Sequence, residues 1–216
     1  VNTAREWAVR NERDRLDSAT RASLLDAAKL TFEQLGYART TIAGITLCAE
    51  VSRATFYVYF ASKSEVFRVL AERLRDSFLH AQEAHGVDPT DPVAVAEATT
   101  GDFLAVYADN LAFITVLEHQ ALSDEHIRTL WSDIRTRLLK RATRYVQRLV
   151  RDGLARPSAP ADIVATAASG MITRFAPMVV ADPGSRERIV GHLVVLYLRL
   201  LGIEHDPDTD TREADR

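Results

Sequence analysis

The sequence predicts an all-α protein, on three observations. Apolar residues recur at spacings of three and four along most of its 216 residues. Capping residues and Gly/Pro stops punctuate those stretches at intervals suited to ordinary globular helices. No alternating apolar/polar run bounded by turn residues reads as a strand pair, and no internal repeat is found.

The elements follow in order. Residues 1–17 mix Arg5, Arg10, Arg13 and Arg15 with Glu6, Glu12, Asp14 and Asp17. They read as an arm or short helix, with a reach into a minor groove or to phosphates as the sharper alternative. A first helix is predicted over Ser18–Leu35, ended by Gly36. A second carries Ile42, Ile45 and Ala49 on one face, with Val51 in the following turn. Ser52 is placed to cap a third, Arg53–Tyr59, in which Phe56 is four residues before Phe60 and both read as core. So short a helix is not stable alone in water and must dock. Ser62-Lys63-Ser64-Glu65 reads as a capping box opening a fourth helix that runs to about Ala84.

After the turn Gly86–Pro92, helical patterns cover Pro92–Ala108, Leu111–Leu122 and Asp124–Gly153, the last capped by Ser123 or Asp124. Two further apolar helices, Pro160–Val180 and Ser185–Gly202, are separated by Asp182-Pro183-Gly184. They are apolar over too wide an arc for surface helices. The polar tail Glu204–Arg216 is predicted to be disordered.

Composition bounds the function. The chain is long enough to bury a core without disulfides or metals. Its single cysteine, Cys48, excludes an internal disulfide and points to a reducing, cytoplasmic setting; the residue itself reads as a small packing group. No apolar run is expected to reach the roughly 20 residues of a membrane span, and no apolar signal core precedes the first helix. Residues 1–75 hold 12 Lys/Arg against 9 Asp/Glu, whereas residues 76–216 hold 15 against 21. A local positive excess beside an acidic remainder suits a chain that meets nucleic acid with one end. No nucleophile elbow, phosphate-cradling Gly loop, carboxylate pair or zinc signature is found, which argues against an enzyme and against a metal or other cofactor. His119 and His126, seven apart across a break, do not form a helical metal pair.

The stretch Thr40–Phe67, TTIAGITLCAEVSRATFYVYFASKSEVF, carries more. Its third helix turns Arg53, Ala54, Thr55, Tyr57, Val58 and Tyr59 largely outward, a set of hydroxyls, aromatics and an arginine that suits a DNA major groove. With Thr40, Thr41, Ile42, Ile45, Ala49, Val51, Ser52, Phe56, Phe60, Ser62, Lys63, Val66 and Phe67, this spacing resembles the DNA-binding signature of the tetracycline-repressor (TetR) family. Arg21, Leu24-Leu25-Asp26-Ala27-Ala28, Phe32 and Gly36-Tyr37 fit the preceding helix of that family. The chain departs at Glu50, where the family usually has Gly, and at Thr46, where it usually has Ala; Gly44 weakens the second helix. A left-handed Glu50 would cost about 1 kcal/mol.

The resemblance implies about nine helices: a helix-turn-helix domain over 18–64, an effector-binding and dimerisation domain over 65–203, and a homodimer on operator DNA, usually a repressor. Lys63, beside a helix N-terminus, is expected to anchor a phosphate. Of Thr40 and Thr41, one should cap the second helix and the other reach a phosphate. Arg53 can read a guanine edge or hold a phosphate. Tyr57 and Tyr59 are core-edge aromatics or, as the resemblance favours, DNA contacts, and Ser52 belongs to the same set.

The resemblance also implies an effector cavity among the middle helices. Candidate lining residues are Phe103, Tyr107, Phe113, Leu117, Trp131, Met171, Phe175 and Met178, each of which taken singly reads as ordinary core. Glu118, His119 and Arg174 would orient a largely apolar small molecule or simply face water. The last two helices would form a four-helix seam with a second subunit through Ala165, Ala168, Ile172, Leu193, Leu196, Tyr197 and Leu200, internal burial being the alternative. Control by a protein partner, or by no effector, is the rival to a ligand-responsive regulator, and a helical enzyme is the remote one.

Overall fold

The computed structural model describes residues 3–204, with side chains described from Ser18 onward. The expected contacts of the arginines in the N-terminal arm, and the tail beyond Glu204, lie outside the described residues. Among those described the fold is all-α: α1 (Thr3–Arg39), α2 (Ile42–Cys48), α3 (Arg53–Tyr59), α4 (Lys63–Ala81), α5 (Pro92–Asp109), α6 (Leu111–Ala121), α7 (Glu125–Arg151), α8 (Ala161–Ala181) and α9 (Arg186–Leu200), with a 3₁₀ turn at Pro183–Ser185.

Local signals explain most of these boundaries. Gly36, at φ 73° and ψ 168°, breaks the regular course of α1 where a stop was expected. Thr41 caps α2 by accepting the Gly44 N–H, and Ser52 caps α3 by accepting that of Thr55. Ser62 accepts the Glu65 N–H while Glu65 accepts the Ala61 N–H, a capping box displaced by one residue. Asp91 and Asp124 cap α5 and α7 through pairs of backbone N–H groups.

The chain divides into two compact units, one of Val1–Arg73 with Thr115–Arg128, the other of Leu74–Ile114 with Thr129–Arg216. The expected boundary after residue 64 falls inside the first unit, because α4, α6 and α7 each supply residues to both.

In the first unit α1 packs on α2, and α2 on α3. Its aromatic core joins Phe32, Tyr37 and Phe67, with centroids 4.9–5.7 Å apart, and sets Phe56 against Phe60 at 5.8 Å.

In the second unit α5 packs against both α8 and α9. One core cluster unites Ala96, Val146, Leu149, Val164, Val194 and Leu198; another unites Leu104, Ala176, Val179, Ile189 and Leu193. Here α8 corrects a sequence expectation. Its 21 residues are long and apolar enough to cross a membrane, yet only 22% of that stretch is buried in the chain. An apolar helix packed on one side by its own chain passes the same length test, and α8 packs on α5 and α9.

Candidate nucleic-acid interface and ligand cleft

The α2–α3 turn sets the aim of α3. The Val51 N–H donates to the Thr46 carbonyl and the Glu50 N–H to that of Leu47, the paired bonds of a Schellman ending with Glu50 in its left-handed position at φ 55°. The residue expected to be strained is therefore strained, and the two bonds hold it. Thr46 is buried and donates to the Ala43 carbonyl within its own helix, so its hydroxyl is satisfied.

Phe56 and Phe60 anchor α3 from below, 0% and 2% exposed. The opposite face presents Arg53, Ala54, Tyr57 and Val58 to solvent, with Thr55 and Tyr59 half-buried at its edges. Arg53 forms no ion pair among the described residues, whereas the Ser52 and Thr55 hydroxyls are 2.8 Å apart. Two apolar groups missed from sequence join this exposed set: Leu47, 81% exposed, and Cys48. Cys48 is expected from the sequence to pack, and it is exposed at the C-terminal end of α2 instead.

Thr40 requires a correction. It is 1% exposed, and its hydroxyl donates to the Thr31 and Gly36 carbonyls. It closes the end of α1 and is not available to a phosphate. Thr41 is exposed, and its capping oxygen leaves its hydroxyl proton free to donate outward.

Lys63 is more engaged than a solvated lysine. Its ammonium donates to the Tyr37 and Thr40 carbonyls at 2.8 and 2.9 Å and lies 4.4 Å from the centre of the Tyr37 ring. Desolvation lowers its pKa from the ordinary lysine value. One of its three protons is left for an outside acceptor.

In the second unit an apolar cavity of about 90 Å³ is lined by Phe103, Leu138, Met171, Ile172, Leu193 and Tyr197, among others. Of the residues expected to hold a ligand, only Phe103 and Met171 line it. Ala165, Ala168, Ile172, Leu193 and Tyr197, expected at a subunit seam, line it instead. Tyr107 stacks beside Phe78, Phe113 and Trp131 are core, and Phe175 packs on the Leu104 cluster. Arg174 and Met178 face outward. Leu117, Glu118 and His119 belong to the first unit, the first buried and the others exposed. The expected ligand set is thus dispersed, because apolar periodicity marks burial without telling core from cavity wall.

The cavity shares Gln82, Thr99, Ala142 and Tyr197 with a larger cleft of about 620 Å³. Arg141, Arg144, Arg148 and Arg151 line that cleft against a single carboxylate, Glu83. Arg144 and Arg148 pair with no carboxylate among the described residues; they donate to the Lys140 and Pro89 carbonyls. The Tyr145 hydroxyl and Gln82 Oε1 are buried without hydrogen-bond partners. Burial raises the Tyr145 pKa to about 12, Arg148 opposing the shift and Asp91 adding to it. Sequence reading passed over these groups, although arginines at i, i+3, i+7 and i+10 share one helical face.

Comparison with known proteins places the first unit. The profile of bacterial regulatory proteins of the tetR family matches residues 24–70. The HTH-type transcriptional regulator TtgR of Pseudomonas putida is 36% identical over 75 residues, 34% of this chain and 36% of that protein. The matched stretch therefore spans about a third of the relative's length. Solved structures resemble the whole fold. A TetR family transcriptional regulator, PfmR, from Thermus thermophilus superposes with TM-score 0.66 at 20% identity, over 85% of this chain and 99% of that one. A TetR-like transcriptional regulator from a Rhodococcus species gives TM-score 0.65 at 22% identity, over 86% and 97%.

Proposed function

We propose that the chain is a DNA-binding transcription regulator of the TetR family, a homodimer released from its operator by a small ligand; the match of residues 24–70 to that family's profile supports the reading. The outward face of α3 is the observation that carries this reading. A helix pinned by Phe56 and Phe60 offers Arg53, Ala54, Thr55, Tyr57, Val58 and Tyr59 to a major groove, with Ser52, Thr41 and the remaining Lys63 proton beside it for phosphates. Two such helices in a dimer would meet half-sites about 34–36 Å apart. Repression is the sense the family resemblance favours.

The dimer seam is proposed on the outer face of α8 and α9. Ile163, Ala167, Gly170, Arg174 and Met178 recur there at helical spacing, and Leu196 is exposed on α9. Small residues at the middle of that face allow close approach of a second helix.

The ligand reading rests on the cavity and its arginine-lined approach. An effector with an apolar body and an anionic end fits both: the body against Phe103, Met171 and Ile172, the charge against Arg144 and Arg148. This replaces the expectation of a ligand oriented by Glu118, His119 or Arg174.

Binding-site selection tests the DNA reading. Wild type should enrich a palindromic site, and Arg53→Ala should relax one base position in each half-site, at about 1–3 kcal/mol per lost contact. Identical motifs from both proteins would remove Arg53 from base reading, and no enrichment at all would overturn the function.

A further inference from the structure

The end of α4, whose Glu83 also borders the arginine-lined cleft, folds back on itself. The Glu83 N–H donates to the His80 carbonyl, Ala84 takes a left-handed φ of 47°, and Gly86 follows at φ 78°. Ala84 bears the steric penalty of a residue with a Cβ in that region. The reversal returns the His85 ring to His80, with centroids 4.4 Å apart. Three ligating atoms then form a nearly equilateral triangle. His80 Nδ1 is 3.1 Å from His85 Nε2 and 3.3 Å from Glu83 Oε2, and His85 Nε2 is 3.1 Å from that same oxygen.

While Glu83 is a carboxylate, no placement of the imidazole protons satisfies all three edges of this triangle. If both nitrogens carry protons, both can donate to the carboxylate, but the 3.1 Å edge between them sets donor against donor. If one nitrogen donates to the other, the acceptor's lone pair is already engaged there and it has no proton for Glu83. One edge is repulsive in every case. A cation over the face of the triangle makes all three edges favourable at once. The dimensions agree, since bonds of about 2.0–2.1 Å to a tetrahedral zinc separate its ligands by about 3.3 Å.

We propose that His80, Glu83 and His85 bind a divalent transition-metal ion, Zn²⁺ above all, with water in the fourth position. Two imidazoles and a carboxylate suit zinc, nickel or copper, and disfavour calcium and magnesium, which take all-oxygen sets. The three side chains are 72%, 40% and 57% exposed, so the fourth position is open. Glu83 Oε1, the oxygen turned from the triangle, lies 3.7 Å from Arg141 Nη1, which holds the carboxylate for one-oxygen ligation. All three ligands fall within six residues of chain, so closing the site orders little backbone. The H-x-x-E-x-H pattern across a helix end and a turn has no helical i, i+4 pair, which is why a search for zinc signatures passed over it.

The test uses the full chain without an affinity tag, stripped with chelator. Zinc sulfate is titrated by calorimetry, and cobalt chloride by visible absorption. One ion should bind per chain, with the intense d–d bands of four-coordinate Co²⁺. His80→Gln and His85→Gln should each weaken binding by about tenfold or more, while His126→Gln leaves it unchanged. Circular dichroism should be the same for all variants, because the ligands are exposed. Absence of uptake by wild type, or equal uptake by the His80→Gln/His85→Gln double variant, would overturn the site. Neither result depends on DNA or effector binding.

Discussion

Lys63 is tied into the fold and is also the side chain proposed to anchor a phosphate. Its two carbonyl partners are 26 and 23 residues away in sequence, at the end of α1. Lys63→Ala should therefore lower thermal stability, by about 1–2 kcal/mol for two charge-assisted bonds at a partly exposed site. It should also flatten the salt dependence of DNA binding by about one unit of slope if the third proton meets a phosphate. Lost stability with an unchanged slope would assign Lys63 to the fold alone. Roles of this kind explain what the sequence hid. Ser52 was legible as a cap, and Thr41 and Asp124 each as one of two candidates, because a cap and its N–H groups lie within three residues; Asp91 reads only as part of a turn. Thr40 looked equivalent to Thr41, but its partner Thr31 is on the preceding helix. Tyr145 carries a second prediction. Its unfolded pKa is near 10 and its folded pKa about 12, so the folded state keeps a proton that the unfolded state loses. Tyr197, raised chiefly by burial and further by Tyr145, acts in the same sense. The stability these groups contribute is whole below pH 10 and falls as pH rises from about 10 to 12. Thermal melts across that range should show a smaller loss for Tyr145→Phe. With no partner for its hydroxyl, the same variant should be no less stable at neutral pH.

At the scale of elements, α3 and α7 show opposite degrees of legibility. The bounds of α3 were readable to the residue, since Ser52 starts it and Phe56 and Phe60 fix which face is buried. The arginine row of α7 was equally visible as a pattern, yet a charged stripe usually means a solvated face. Only the turn after α4, α5 and Tyr197 of α9 convert it into the wall of a cleft. The function of that wall can be separated from its apolar neighbour with two probes that share a tail. Decanoate and decanol place the same hydrocarbon against Phe103 and Met171, but only decanoate brings a charge to Arg144 and Arg148. Decanoate should raise the melting temperature more than decanol does. The Arg144→Ala/Arg148→Ala pair should erase that difference, about tenfold or more in affinity, while leaving decanol unaffected. Equal shifts from both probes in wild type would return the site to a purely apolar effector. No shift across either series, or across a broader lipophilic set, would favour control by a protein partner or by none.

At the scale of the whole molecule, α8 and α9 were expected to make the subunit seam, and the structure divides their residues. Leu193, 2% exposed, belongs to the core of its own chain together with Leu104, Ala176, Val179 and Ile189, and Ala165 is 2% exposed as well. Ile163, Met178, Val180 and Leu196 remain 43–54% exposed on the same two helices. The sequence could show that both helices are apolar over a wide arc. It could not assign which part of the arc faces α5, because that depends on how three helices rotate against one another. The division yields a paired prediction. Leu196→Glu places a carboxylate on the open face, where water solvates it in the monomer and a second subunit would desolvate it, a cost of several kcal/mol to association alone. Leu193→Glu places the same charge in the core of one chain and should unfold the second unit. Sedimentation of Leu196→Glu should show a monomer with full helicity and far weaker operator binding. A Leu196→Glu protein that stays dimeric would move the seam off this face, to some surface that α8 and α9 do not supply.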